Sequence, residues 1–130
     1  DSNVLEIREK ALEYLRKLSI IARSQELMAI VEKMTGQRGR AEARQILWFL
    51  LIWFRDILHL KNGEDDAGNI LNFDKTENLQ AFISYAPNAD IQKMVWNIEE
   101  ALQALEDVRN YNPVLILTTL ALKLNRQIRA

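Results

Sequence analysis

The sequence contains no cysteine, which excludes disulfides, thiolate nucleophiles and thiolate metal sites. Its only histidine is His59, so a paired-histidine metal site is excluded as well. Charge of one sign is also missing: 17 Lys and Arg stand against 18 Asp and Glu. That balance argues against a domain that holds phosphate backbones by bulk electrostatics. Long apolar runs are absent too. The longest, Ile46 to Phe54, covers nine residues, about half of the ~18–20 that a bilayer span requires. These absences lead to the expectation of a soluble, cytoplasmic domain with no cofactor. The opening Asp1-Ser2-Asn3 carries neither Met nor a basic-then-apolar leader, and residues 1–130 are read as one domain cut from a longer polypeptide.

Hydrophobic residues make up 48% and charged residues 27%, ordinary values for a globular protein. Their spacing predicts an all-α fold of about six helices in a compact orthogonal array, without a sheet. The first helix runs from about Asn3 to Leu18, with Val4, Ala11, Leu15 and Leu18 on one stripe and Leu5 and Leu12 beside it. The second runs from about Ile20 to Met34 and buries Leu27, Met28, Val31 and Met34. Gly36-Gln37-Arg38-Gly39 breaks the chain, because glycines accept positive φ. A long third helix follows from about Arg40 to Asn62, stopped by Gly63. Glu64-Asp65-Asp66 reads as a solvated loop. A short fourth helix, about Lys75 to Tyr85, takes Asp74 or Thr76 as its N-cap. The fifth, about Ala89 to Arg109, carries Ile91, Met94, Val95, Ile98, Leu102, Leu105 and Val108 on one face. Asn112-Pro113 opens the last helix, an N-cap followed by proline at the first helical position.

The third and last helices carry more apolar residue than one face can hold. Leu47, Leu51, Phe54 and Leu58 lie off the stripe of Ile46, Phe49 or Leu50, Trp53 and Leu60, with Trp48 and Ile52 pointing elsewhere again. In the last helix Val114 to Leu117, Leu120 to Leu122 and Leu124 are all apolar. A helix apolar all round must be covered all round, either by the rest of its own domain or by another subunit.

No constellation of catalytic residues is visible. Asp56 and His59 stand at i, i+3 and form half of a carboxylate–histidine metal pair, but a bundle metal site needs a second such half. Glu64-Asp65-Asp66 lacks the alternating oxygen ligands of a calcium loop. No phosphate-cradling G-x-x-x-x-G-K-S/T occurs, and the G-x-x-G at 36–39 lacks the strands of an RNA-clamping loop. Lys33, Arg38, Arg40 and Arg44 surround a single acid, Glu42, and are the candidates for phosphate contact should the domain bind nucleic acid. Arg55-Asp56, the first charges after the long apolar run, are expected to form ion pairs or to cap neighbouring helix ends.

The order of these signals resembles the C-terminal collar domain of bacterial DNA polymerase III clamp-loader subunits, most closely the delta-prime type. Four segments carry the resemblance: Trp53-Phe54-Arg55-Asp56-Ile57-Leu58; the Lys61-Asn62-Gly63 stop with Leu71-Asn72-Phe73-Asp74 after it; Ile98, Ala101 and Leu105 of the fifth helix; and Asn110-Tyr111-Asn112-Pro113-Val114-Leu115, similar to the family's Asn-x-Asn-x-x-Leu lead-in to the final helix. Together they span about Leu12 to Leu124. One departure is Leu117-Thr118-Thr119, where the family pattern has a glutamate. The resemblance implies a non-catalytic module whose partners are the collar domains of the other clamp-loader subunits. In that family, N-terminal AAA+ modules hold nucleotide and the collars join five subunits in a ring. Trp48, Trp53, Leu117 and Leu122 are then the candidate interface residues, and Arg55, Asp56, Asn72, Asp74, Asn110 and Asn112 the structural ones.

Overall fold

The computed structural model describes residues 2–36, 39–63, 70–107, 109 and 112–129. Among the described residues six α-helices follow one another: α1 (Ser2–Ile20), α2 (Ser24–Thr35), α3 (Gly39–Lys61), α4 (Thr76–Tyr85), α5 (Ile91–Glu106) and α6 (Pro113–Arg129). A 3-10 turn at Phe73–Lys75 leads into α4. There is no strand among the described residues, as the 3.6-residue periodicity implies.

The helix ends follow from local chemistry. Gly36 stops α2 at φ +56° while its N–H bonds the Glu32 carbonyl, and Gly63 closes α3 at φ +79° with its N–H on the Leu60 carbonyl. Both need the left-handed region that glycine enters without steric cost. Asp90 caps α5 by accepting from the Lys93 amide. Asn112 Oδ1 accepts from the Val114 amide at 2.8 Å, with Pro113 opening α6, the arrangement expected of that dipeptide.

Helix α3 is the axle of the fold. It packs against α1, α2, α4, α5 and α6, and Ile46, Leu47, Leu50, Trp53, Phe54 and Ile57 are all buried along it. Full burial of each such side chain contributes about 1.5–3 kcal/mol. Phe54 meets Phe82 of α4 edge to face at 5.5 Å. Helix α6 packs against α1, α2, α3 and α5 and buries Leu117, Leu120, Ala121, Leu124 and Ile128. Most of the apolar excess of both helices is therefore covered by the chain itself.

Several boundaries differ from the sequence reading, and at the ends of α1 and α5 a distant side chain meets the last carbonyls. Helix α1 continues to Ile20, and α2 begins only at Ser24. The last carbonyls of α1 are satisfied by distant side chains: Asn125 Nδ2 donates to Leu18 O at 2.7 Å and Tyr85 Oη to Ser19 O at 3.4 Å. Helix α5 ends at Glu106 rather than near Arg109, with Arg40 Nη1 donating to Leu105 O at 2.6 Å. Within α1 the core face is Ile7, Ala11, Tyr14, Leu15 and Leu18, whereas Val4 and Leu5 are exposed. Tyr14 sets that rotation, because its buried hydroxyl donates to Leu117 O at 2.6 Å.

Candidate assembly surface

Asp56 is completely buried. Its carboxylate accepts from Leu71 N at 2.9 Å and from Asn72 N and Asn72 Nδ2, both at 2.8 Å. It thereby holds the segment that opens the 3-10 turn before α4, a helix-end capping role carried out from another helix. Arg55, its neighbour, is exposed and takes no part. Asp74 does not cap α4. That helix starts without a side-chain cap, and the Asp74 carboxylate pairs with Arg8 of α1 at 2.8 and 3.1 Å. The hydrogen bond from Arg8 holds the Asp74 carboxyl below the ordinary carboxylate range. Lys75 reaches Glu9 beside it at 3.7 Å. The 56–74 residues singled out by the sequence thus fasten α4 to α3 and α1. Asn112 caps α6, as described above, and Asn110 lies outside the described residues.

The four interface candidates separate. Trp48 is 55% exposed, and Ile52 one turn on is 37% exposed, so α3 offers an apolar strip to solvent there. Leu122 is half-buried on α6. Trp53 and Leu117 are corrections: at 2% and 0% exposure they belong to the protomer core and present nothing to a neighbour. Trp53 stacks on Phe49 at 6.1 Å, and its buried indole N–H has no acceptor among the described residues, so it acts there by volume.

The basic candidates are dispersed as well. Arg40 binds the C-terminal end of α5 through Leu105 O, and Arg44 faces Glu106 at 3.8 Å. Cations at that end complement the carbonyl dipoles of α5. Lys33 is exposed at the end of α2, beside a hollow lined by Glu6, Glu9 and Glu13 as well as Lys10 and Lys17. Arg38 lies outside the described residues. Glu42, the lone acid of that stretch, is buried and paired with Lys10 of α1. What was read as a basic turn is largely used in fastening helices.

Among the described residues no three His, Cys, Asp or Glu side chains are placed to hold a metal ion, and Asp56 is turned to Asn72, away from the metal pairing with His59. No helix among them is long and apolar enough to cross a membrane. One exposed aromatic residue escaped the sequence reading, Trp96, 58% exposed on α5; Leu115, named there within the apolar run of the last helix, is 54% exposed. Trp96 interrupts the polar row Gln92, Lys93, Glu99 and Gln103, and a helical plot of α5 carries that signal.

The family model described as DNA polymerase III, delta subunit, C terminal, matches residues 2–126. The chain belongs to this family. Its domain is the non-catalytic C-terminal part of a clamp-loader subunit. No curated protein and no solved structure matches the chain.

Proposed function

We propose that this domain joins its parent subunit to the neighbouring subunits of the DNA polymerase III clamp loader, in the delta-prime position of a five-membered cytoplasmic collar ring. In this reading it follows an AAA+ module in the longer polypeptide and itself holds no nucleotide. The family match over residues 2–126 supports the clamp-loader part. The delta-prime position rests on the similarity of the segments around Arg55-Asp56, Asn72-Phe73-Asp74 and Asn110 to Leu115. The observation that carries an assembly role is the Trp48–Ile52 strip. A tryptophan more than half exposed, on the helix that otherwise forms the core, is the kind of residue that anchors interfaces.

The test uses the full-length subunit carrying Trp48→Ala and Ile52→Ala together. Its affinity for the remaining clamp-loader subunits, measured by analytical ultracentrifugation, is expected to fall about 30-fold, the effect of losing one strong anchor. The helical circular dichroism signal should stay unchanged. Wild-type assembly by this variant would refute the assignment of the face. Reconstitution in place of an authentic delta-prime subunit, compared with replacement of delta, tests the position in the ring.

A further inference from the structure

Helices α5 and α6 run antiparallel, and a groove lies open along their seam. At one end a hollow of about 350 Å³ is lined by Ala101, Ala104, Leu115, Ile116 and Leu120. The small side chains of Ala101 and Ala104 leave this room, and Leu115 stands half out of it. At the other end a second hollow is lined by Lys93, Trp96, Lys123, Arg126 and Gln127. Asn97, Glu100 and Lys123 border both, so the two hollows adjoin along the seam.

Asn97 is the unusual member. It is only 6% exposed, and among the described residues its side-chain amide makes no hydrogen bond, whereas the buried amides of Asn72 and Asn125 both do. Its polar atoms are not sealed from water, so the amide is open to the groove where the two hollows adjoin. Charge along the channel is uneven. Lys93 and Arg126 have no carboxylate partner among the described residues, and Lys123 approaches Glu100 only at 3.9 Å. One end is therefore mostly apolar, the middle holds a water-accessible amide beside the Lys123–Glu100 pair, and the far end carries the positive charge of Lys93 and Arg126.

We propose that the α5–α6 seam is a peptide-docking groove, which takes an extended segment of a partner protein bearing an aliphatic side chain and, further along, an acid. The aliphatic group fills the Ala101–Leu115–Ile116 hollow. A main-chain peptide group pairs with the Asn97 amide, which can donate and accept at once. The acid meets Lys93 and Arg126. From Ile116 to Arg126 helix α6 rises about 15 Å at about 1.5 Å per residue, which an extended strand spans in about four or five residues. The groove is separate from the Trp48–Ile52 strip, and the inference does not require the ring-assembly reading.

The probe is a displayed library of 12-residue peptides panned on the chain, with selected sequences synthesised and titrated. Selected peptides are expected to place Asp or Glu four or five positions from Leu, Ile, Val or Met, to quench or shift Trp96 fluorescence, and to move the Asn97 side-chain amide resonances. Asn97→Ala should weaken binding about tenfold, the worth of one well-made amide pairing, without lowering thermal stability. The pair Lys93→Gln and Arg126→Gln should weaken it further and flatten its dependence on salt. Leu115→Gln, on an exposed side chain, should remove the aliphatic preference while the fold is kept. Selection of peptides lacking that spacing, an Asn97 amide unmoved by bound peptide, or an Asn97→Ala affinity equal to wild type would overturn the proposal.

Discussion

Replacing Asp56 by Ala tests the claim that one buried carboxylate holds α4 in place. The change removes three acceptor contacts, two of which come from the backbone and side chain of buried Asn72. The Leu71 amide belongs to an exposed residue and can turn to water. The two Asn72 donors cannot do so without opening the segment. Hydrogen bonds to a charged acceptor contribute about 1.5–3 kcal/mol each, and a stranded buried donor costs about 1–3 kcal/mol. Because the segment relaxes in part, the expected loss is about 3–5 kcal/mol rather than the full sum. With a urea slope of about 2 kcal/mol/M, the unfolding midpoint should fall by about 2 M. Arg55→Ala, next to it but exposed, should stay within about 0.5 kcal/mol. Hydrogen exchange offers the local readout: the Asn72 amide should lose its protection in Asp56→Ala before the α3 amides do. A double-mutant cycle with Asn72→Ala should return a coupling of about 1–3 kcal/mol. A loss under 1 kcal/mol, or a coupling near zero, would refute the argument.

Four further outcomes are expected. Trp53→Ala should cost about 3–5 kcal/mol in chemical unfolding, as for large buried aromatics, whereas Trp48→Ala should cost less than about 1 kcal/mol. Asn112→Ala should lower stability by about 0.5–2 kcal/mol by uncapping α6. The Tyr14 phenol, pushed up by burial, stays neutral in the fold. Its contribution is fully present below the unfolded value of about 10 and lost as pH rises towards the folded one, so ultraviolet titration should show one tyrosine ionising only on unfolding. The Asp74 carboxyl, held low chiefly by Arg8, stabilises above its unfolded value and loses that effect as pH falls through the folded one. Arg8→Gln should move its NMR titration midpoint upward.

Much of the fold is legible in the sequence because helix periodicity and end chemistry are local. Of the expected α5 face, Ile91, Met94, Ile98, Leu102 and Leu105 are buried, Val95 is half-buried and Val108 lies outside the described residues; Asn112-Pro113 opens α6 where the dipeptide stands. The errors share one cause. Where α1 ends depends on Asn125 and Tyr85, 107 and 66 residues away, and which face of α1 is inside depends on the Tyr14 bond to Leu117. Arg40 and Arg44 read as a basic patch along the chain, but in space they meet the end of α5. A charge row shows which side chains are polar without showing what they are polar towards. Asp56 was marked as a cap or ion-pair former; choosing between these required the 70–72 segment to be brought against α3.

The same limit applies to the candidate interface residues. Trp48 and Trp53 are five positions apart on α3, about 140° around the helix at 3.6 residues per turn, so a continuous apolar run cannot show which points inward. The array answers that by surrounding α3 with five helices and leaving uncovered the arc that carries Trp48 and Ile52. A sequence needing only a core would have no use for tryptophan on that arc, since an exposed aromatic contributes little to folding and invites association. Polar residues do occupy the same arc at Gln45 and Arg55, both exposed. The apolar character is thus confined to a single turn of the helix, bounded on either side by water-compatible groups. That arrangement is a small anchor with a polar rim, and it is the pattern on which the proposed assembly role rests.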